Sequence, residues 1–123
     1  MKQTFKKNER LKSKKEINAV FKSKKSVFHY PLKTFYSENQ DKNHKILVSV
    51  PKRNFKSAVA RNLLKRRIIE SYRKNKAILY VNHPLNKYLN LAFVYVAKEP
   101  LPYAYIDKKI NVILQEIANE VYR

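Results

Sequence analysis

Residues 61–67 read Arg-Asn-Leu-Leu-Lys-Arg-Arg, inside a stretch from Lys56 to Arg73 whose spacing predicts a helix. At about 100° per residue, Arg61, Asn62, Lys65, Arg66 and Arg73 fall on one half of that helix. Val59, Ala60, Leu63, Leu64 and Ile68 fall on the other. A guanidinium presents a planar fork of donors that suits phosphate, and the Asn62 amide can reach a base edge or a ribose hydroxyl. Like charges at i,i+4, here Arg61 and Lys65, cost helix stability. A solvated charged face is the ordinary reading of such a helix. Four cations and an amide with no acid among them point instead to an anionic partner. Two residues break the separation: Arg67 lies within the apolar half, and Ile69 in the middle of the cationic half.

Protein-based catalysis finds no support. His29, His44 and His83 are far apart, show no metal-ligand spacing and read as loop residues. The nine carboxylates are scattered, so no general acid–base pair stands out. There is no Cys, and neither Ser49 nor Ser57 has an obvious base nearby. With no Gly in the chain, a Gly-rich phosphate loop is excluded.

The charge is large and uneven. Over 123 residues, 28 Lys+Arg against 9 Asp+Glu give a formal net charge of +19, which calls for a polyanion, nucleic acid before anionic membrane. Residues 1–25 and 52–74 each carry a net +8, with nearly neutral, strand-like sequence between them. A uniform solubilising surface would not be blocked in this way. At 44% hydrophobic with 15 aromatics the chain is not disordered, and the length predicts one domain. No apolar run is long enough to span a membrane, no apolar segment follows the basic N-terminus as in a secretory signal, and the lack of Cys fits a reducing compartment.

Several elements must position these residues. Residues 1–12 read as a flexible basic arm. Ser13-Lys14-Lys15-Glu16 is a capping-box pattern, and Ile17, Val20 and Phe21 continue it as a short amphipathic helix over 14–23. Residues 31–38 read as a strand with Leu32, Thr34 and Tyr36 on one face and Lys33 and Phe35 on the other. Residues 39–43 read as a hairpin loop and 46–50 as a buried strand stopped by Pro51. The basic helix follows, with Asn54 as a candidate N-cap. Residues 75–90 are ambiguous, with Ala77–Tyr80 able to extend the helix and Asn82-His83-Pro84 expected to break it. Leu91–Ala97 is the strongest strand. Tyr103, Ile106, Ile110, Ile113, Leu114, Ile117 and Val121 recur at steps of three and four, a helical stripe made to pack on a sheet. The expected class is α+β, a single domain in the order α-β-β-α-β-α.

The string from Pro51 to Arg67 resembles the signature of the bacterial ribonuclease P protein subunit: a basic pair after a strand, an Ala-Val, then Arg-Asn and Lys-Arg on a helix. Arg10-Leu11, Ile17, Phe21 and the element order agree with it. Leu63 and Ile69 stand where the family usually has Arg. The resemblance implies a ribosomal-protein-type α/β sandwich with a left-handed βαβ crossover. It implies a cytoplasmic protein, monomeric within its complex, whose partners are the catalytic RNA and precursor tRNA. It implies that the RNA holds the Mg²⁺ and removes the 5′ leader, and that the protein itself binds no cofactor. By the same resemblance Lys52, Arg53, Arg61, Asn62, Lys65, Arg66, Arg67 and Arg73 would face the RNA subunit. Ile17, Phe21, Phe35 and Ser49 would line a cleft for the leader. Aromatics and cations on one strand face are what single-stranded RNA requires. A basic RNA-binding module of the ribosomal-protein or chaperone kind, with no part in cleavage, is the alternative. A helix-turn-helix is disfavoured because the basic helix follows a strand, and a membrane-surface role because the 103–121 stripe lacks a basic opposite face.

Overall fold

A computed structural model describes residues 5–81 and 87–122. The elements are α1 (Lys14–Lys22), β1 (Ser26–His29), β2 (Leu32–Asn39), β3 (Lys45–Ser49), α2 (Ala58–Asn75), α3 (Ala77–Tyr80), β4 (Tyr88–Tyr95) and α4 (Tyr103–Val121), preceded by a 3-10 turn at Lys7–Glu9. The class is α+β as expected, with one strand and one short helix beyond the expected order. β1 has four residues, too few for alternation to show in sequence.

The four strands form one sheet in the order β1-β2-β4-β3. β4 pairs antiparallel with β2 and parallel with β3, so α2 and α3 lie within a parallel crossover. This corrects the hairpin reading of 39–43: β4 sits between β2 and β3, and the loop joins two strands that do not pair. Its turn is built by side chains. Asn39 Oδ1 accepts from the Asp41 N–H at 2.8 Å, and Asn39 Nδ2 donates to Asn90 Oδ1 on β4 at 2.8 Å.

Side-chain alternation gives the sheet two faces. Val27, Leu32, Tyr36, Ile46, Leu89, Leu91, Phe93 and Tyr95 face α2 and α4 and form the main core with Leu64, Ile68, Tyr72 and the α4 stripe. Ile106, Ile110, Ile113, Leu114 and Ile117 are fully buried, as their spacing predicted. Each contributes about 1.5–3 kcal/mol of transfer free energy before entropy. The other face carries a smaller cluster, Leu11, Val20 and Ala92 with Ile17, Phe35 and Leu47 packed against it, under α1. The result is three layers, with α1 alone on one side.

Helix boundaries also move. The N-cap of α2 is Ser57, whose Oγ accepts from the Ala60 N–H at 3.3 Å, and not Asn54. In α1, Ser13 caps as expected by accepting from the Glu16 N–H. The Glu16 carboxylate does not return to complete a capping box. It accepts from Lys45 Nζ at 2.8 and 3.0 Å and from Asn90 at 3.2 Å, joining α1 to β3 and β4. Residues 77–80 form the separate helix α3, and Asn82-His83-Pro84 lies outside the described residues.

The basic arm is corrected over residues 5–12. Glu9 is buried and pairs with the buried Lys76 Nζ at 2.7 Å. Phe5 meets Tyr72 edge-on at 6.2 Å, and the Leu11 N–H donates to Ile46 O at 2.8 Å. The segment is docked along β3 and α2. Burial pushes the Tyr72 hydroxyl well above the usual tyrosine pKa. His44 is in a loop as expected, yet it is buried: Nδ1 accepts from the Leu89 N–H at 2.9 Å, and Nε2 lies 3.3 Å from Leu79 O. His29 is on β1 rather than in a loop.

Removing one member of a buried ion pair strands the other charge. Lys76→Met is expected to lower the unfolding free energy in urea by about 3–5 kcal/mol; a loss under about 1 kcal/mol would mean that water reaches Glu9.

Candidate nucleic-acid interface

The loop from Pro51 to Ser57 sets the first surface. Phe55 is its anchor, buried against Tyr95 with ring centroids 5.8 Å apart. The Asn54 and Phe55 N–H groups both donate to Pro51 O, at 3.1 and 3.3 Å, which folds the loop into a turn. Lys52 and Arg53 are thereby held exposed just ahead of the N-terminus of α2. That end has no acidic residue in its first turn, and the helix dipole adds partial positive charge there.

Along α2 the expected cations divide by role. Asn62 and Arg66 are exposed and Lys65 is half-buried. Arg61 is turned back on the loop: its Nη1 donates to Phe55 O at 2.7 Å and Lys56 O at 3.0 Å. Arg67 Nη1 donates to Leu101 O at 2.6 Å, tying α2 to the segment before α4. This accounts for its place in the apolar half. Arg73 grips Glu70 one turn back, with Nε 3.1 Å from Oε2. The hydrogen bond from Arg73 holds the Glu70 carboxyl below the usual range and raises the guanidinium in turn. Arg61, Arg67 and Arg73 are therefore first of all structural.

The apolar half is narrower and rotated from the sequence reading. Leu64, Ile68, Ser71 and Tyr72 are buried, whereas Val59 is 79% and Leu63 42% exposed. Ile69 is half-buried and packs on the core. The docked N-terminal segment and β3 widen the covered side of α2 toward it, which no wheel of α2 alone could show.

The second surface lies between α1 and the sheet. Phe21 on α1 and Phe35 on β2 meet edge-on, centroids 5.3 Å apart. Phe21 is exposed, and Lys33 Nζ sits 5.1 Å from the Phe35 centroid, a cation–π distance. Ile17 packs beneath, with Ala92 and Leu47 in the same cluster. Ser49 is on the same sheet face at the end of β3, through the register Ser49–Val94–Lys33. All four expected cleft residues thus share this side, Ser49 at its far edge. Sequence reasoning missed Phe28, which is 57% exposed and lies opposite Lys33 on β1. It left no signal because the strand that carries it was not visible. At the foot of α1, burial alone would lower the Lys45 ammonium pKa, but hydrogen bonds to Asp41 and Glu16 outweigh it and raise the pKa.

Among the described residues, no group of three or more His, Cys, Asp or Glu side chains could hold a metal ion. No described helix is long and apolar enough to cross a membrane.

The family model described as Ribonuclease P matches residues 5–118, and the chain belongs to that family. Within it, the relatives are protein components. The chain is 37% identical over 121 residues to the ribonuclease P protein component of Porphyromonas gingivalis, covering 94% of this chain and 87% of the relative. It is 30% identical over 118 residues to that of Borrelia turicatae, covering 94% and 98%. Among solved structures, the RNase P protein from Thermotoga maritima superposes with a TM-score of 0.72 at 22% identity, over 88% of this chain and 96% of that one. The Staphylococcus aureus RNase P protein gives 0.68 at 24%, over 94% and 98%. These two likenesses speak for the fold.

Because Arg61 satisfies two loop carbonyls, Arg61→Ala is expected to lower thermal unfolding stability by about 1–3 kcal/mol. Arg66→Ala, fully on the surface, is expected to stay within about 0.5 kcal/mol of the parent. Equal melting of the two variants would mean that the Arg61 clamp is dispensable.

Proposed function

We propose that this chain acts as the protein subunit of ribonuclease P. It binds the catalytic RNA along the exposed side of α2 and holds the 5′ leader of precursor tRNA in the cleft between α1 and the sheet. The observation that carries this reading is the pairing, in a member of this family, of a cationic helix face, on which Lys65 and Arg66 have no acidic partner among the described residues, with an aromatic cleft on the opposite side of the sheet. Lys52, Arg53, Lys65 and Arg66 meet phosphates of the RNA subunit, and Asn62 meets a base edge or ribose hydroxyl. Arg61, Arg67 and Arg73 act first by holding that face in shape. Phe21 and Phe35 stack bases of the leader, Lys33 meets its backbone, and Ile17 and Ser49 bound the cleft.

The protein contributes positioning and charge neutralisation, and the hydrolysis belongs to the RNA. Magnesium is expected on the RNA, as the resemblance to the family implies. The subunit works as a monomer in the complex and, by its role, in the cytoplasm.

The test is reconstitution. The purified chain is mixed with a bacterial ribonuclease P RNA at low Mg²⁺, and leader removal is followed. Strong stimulation over RNA alone is expected; RNA binding without stimulation would point to a general RNA-binding module instead. Arg66→Ala is expected to weaken binding to the RNA subunit and to reduce the slope of log K against log salt by about one; an unchanged slope would remove the phosphate contact.

Phe35→Ala is expected to cost about 1–3 kcal/mol in binding precursor tRNA, with leaderless tRNA unaffected. Equal weakening of both RNAs would remove the leader from the cleft.

A further inference from the structure

Ile69, in the middle of the cationic half, belongs to neither surface. It lines an open groove of about 270 Å³ between the docked N-terminal segment, β3 and α2. Val48 and Ile69 contribute apolar walls, Phe5 closes one side, and Arg10, Lys12 and Lys65 are the cations. No carboxylate is among the lining residues, and among the described residues none of these three cations is in an ion pair with an acidic side chain. The guanidinium of Arg10 lies 5.7 Å from the Phe5 ring centroid.

Two kinds of ligand fit only half of this. A small anion needs the cations and not the apolar walls. An apolar peptide needs the walls and not three unneutralised cations. A nucleotide needs both, because its base has apolar faces and its phosphate is anionic. The volume is near the lower bound of small-molecule sites, about 300 Å³, which is room for one nucleotide. The groove also lies between the two surfaces. It shares Leu47 with the cluster under α1, to which Phe35 belongs, and Lys65 with the basic side of α2.

We infer that this groove takes one unstacked nucleotide of single-stranded RNA, its base against Val48 and Ile69 and its flanking phosphates on Arg10, Lys12 and Lys65. The inference rests on the RNA-binding reading above. It adds a third contact that joins the cleft to the basic helix.

The experiment uses the full chain with labelled Ile, Leu and Val methyls, titrated with a uridine pentanucleotide and with a fully abasic pentamer of the same charge. Val48 and Ile69 methyls are expected to shift with the first and not with the second. Ile69→Phe, which fills the groove without changing charge, is expected to abolish the Val48 shift and leave that of Ile17 in the cleft. Shifts at Ile17 without any at Val48 and Ile69 would overturn the groove and spare the cleft. No shift at any methyl, with no RNA bound, would overturn both readings together.

Two affinity arms then separate the sources of the nucleotide. If the RNA subunit supplies it, Ile69→Phe weakens binding to that RNA about tenfold. If the leader supplies it, only precursor tRNA binding by the assembled complex weakens to that extent. Lys12→Glu, at an exposed position, changes no packing and is expected to act in the same arm. Unchanged affinity of both variants in both arms would overturn the inference.

Discussion

β4 is hydrogen-bonded along both edges and buried on both faces for most of its length. Its register with β2 and β3 places Leu91 and Phe93 over α2 and α4, and it places Ala92 between Phe35 and Leu47 under α1. A slip of one residue would exchange these faces. The main core would then receive Asn90 and Ala92, and the aromatic cleft would lose its floor. Core and cleft are thus two consequences of one strand alignment. Asn39 reinforces it at one end through the hydrogen bond that its amide donates to Asn90 Oδ1.

A chain with a formal charge of +19 must still hold itself together, and it does so by dividing its cations between two tasks. Lys45 and Lys76 have carboxylate partners on other elements, and Arg61 and Arg67 bind backbone carbonyls. These groups fasten α1, the N-terminal segment, the 51–57 loop and the approach to α4. Lys52, Arg53 and Arg66 stand exposed. The family signature therefore mixes two kinds of residue. Some of its basic positions present charge, and others build the platform from which it is presented.

What could be read in the sequence was what repeats or runs on. The α4 stripe persists over 19 residues, β4 is a long apolar run, and the cationic face of the basic helix shows in its spacing, though not the Glu70 carboxylate that Arg73 takes. The resemblance groups Ile17, Phe21 and Phe35, and they do share one side of the sheet. The sheet order was not legible, because nothing in 39–43 says that a strand from the far end of the chain will enter between its neighbours. The roles of Arg61 and Arg67 were hidden too, since their acceptors are carbonyls brought near by tertiary folding. The docking of residues 5–12 was likewise closed to local patterns: its ion pair joins residues 67 positions apart.

α1 and α2 are fastened to the fold in different ways. α2 is held by Leu64, Ile68 and Tyr72, all fully buried. α1 spans nine residues and fully buries only Val20; Ile17 and Phe21 pack at its edge, and polar ties hold its ends, Glu16 at one and Ser23, whose Oγ donates to Tyr36 O at 2.9 Å, at the other. A small element with few buried contacts opens locally at a fraction of the global unfolding free energy. The cleft therefore has one stiff wall, the sheet, and one compliant wall. It can widen or close without disturbing the register of β4 or the helix on the far side. For the leader binding proposed above, that asymmetry would let the cleft adapt to its occupant while the side of the sheet that carries α2 stays rigid.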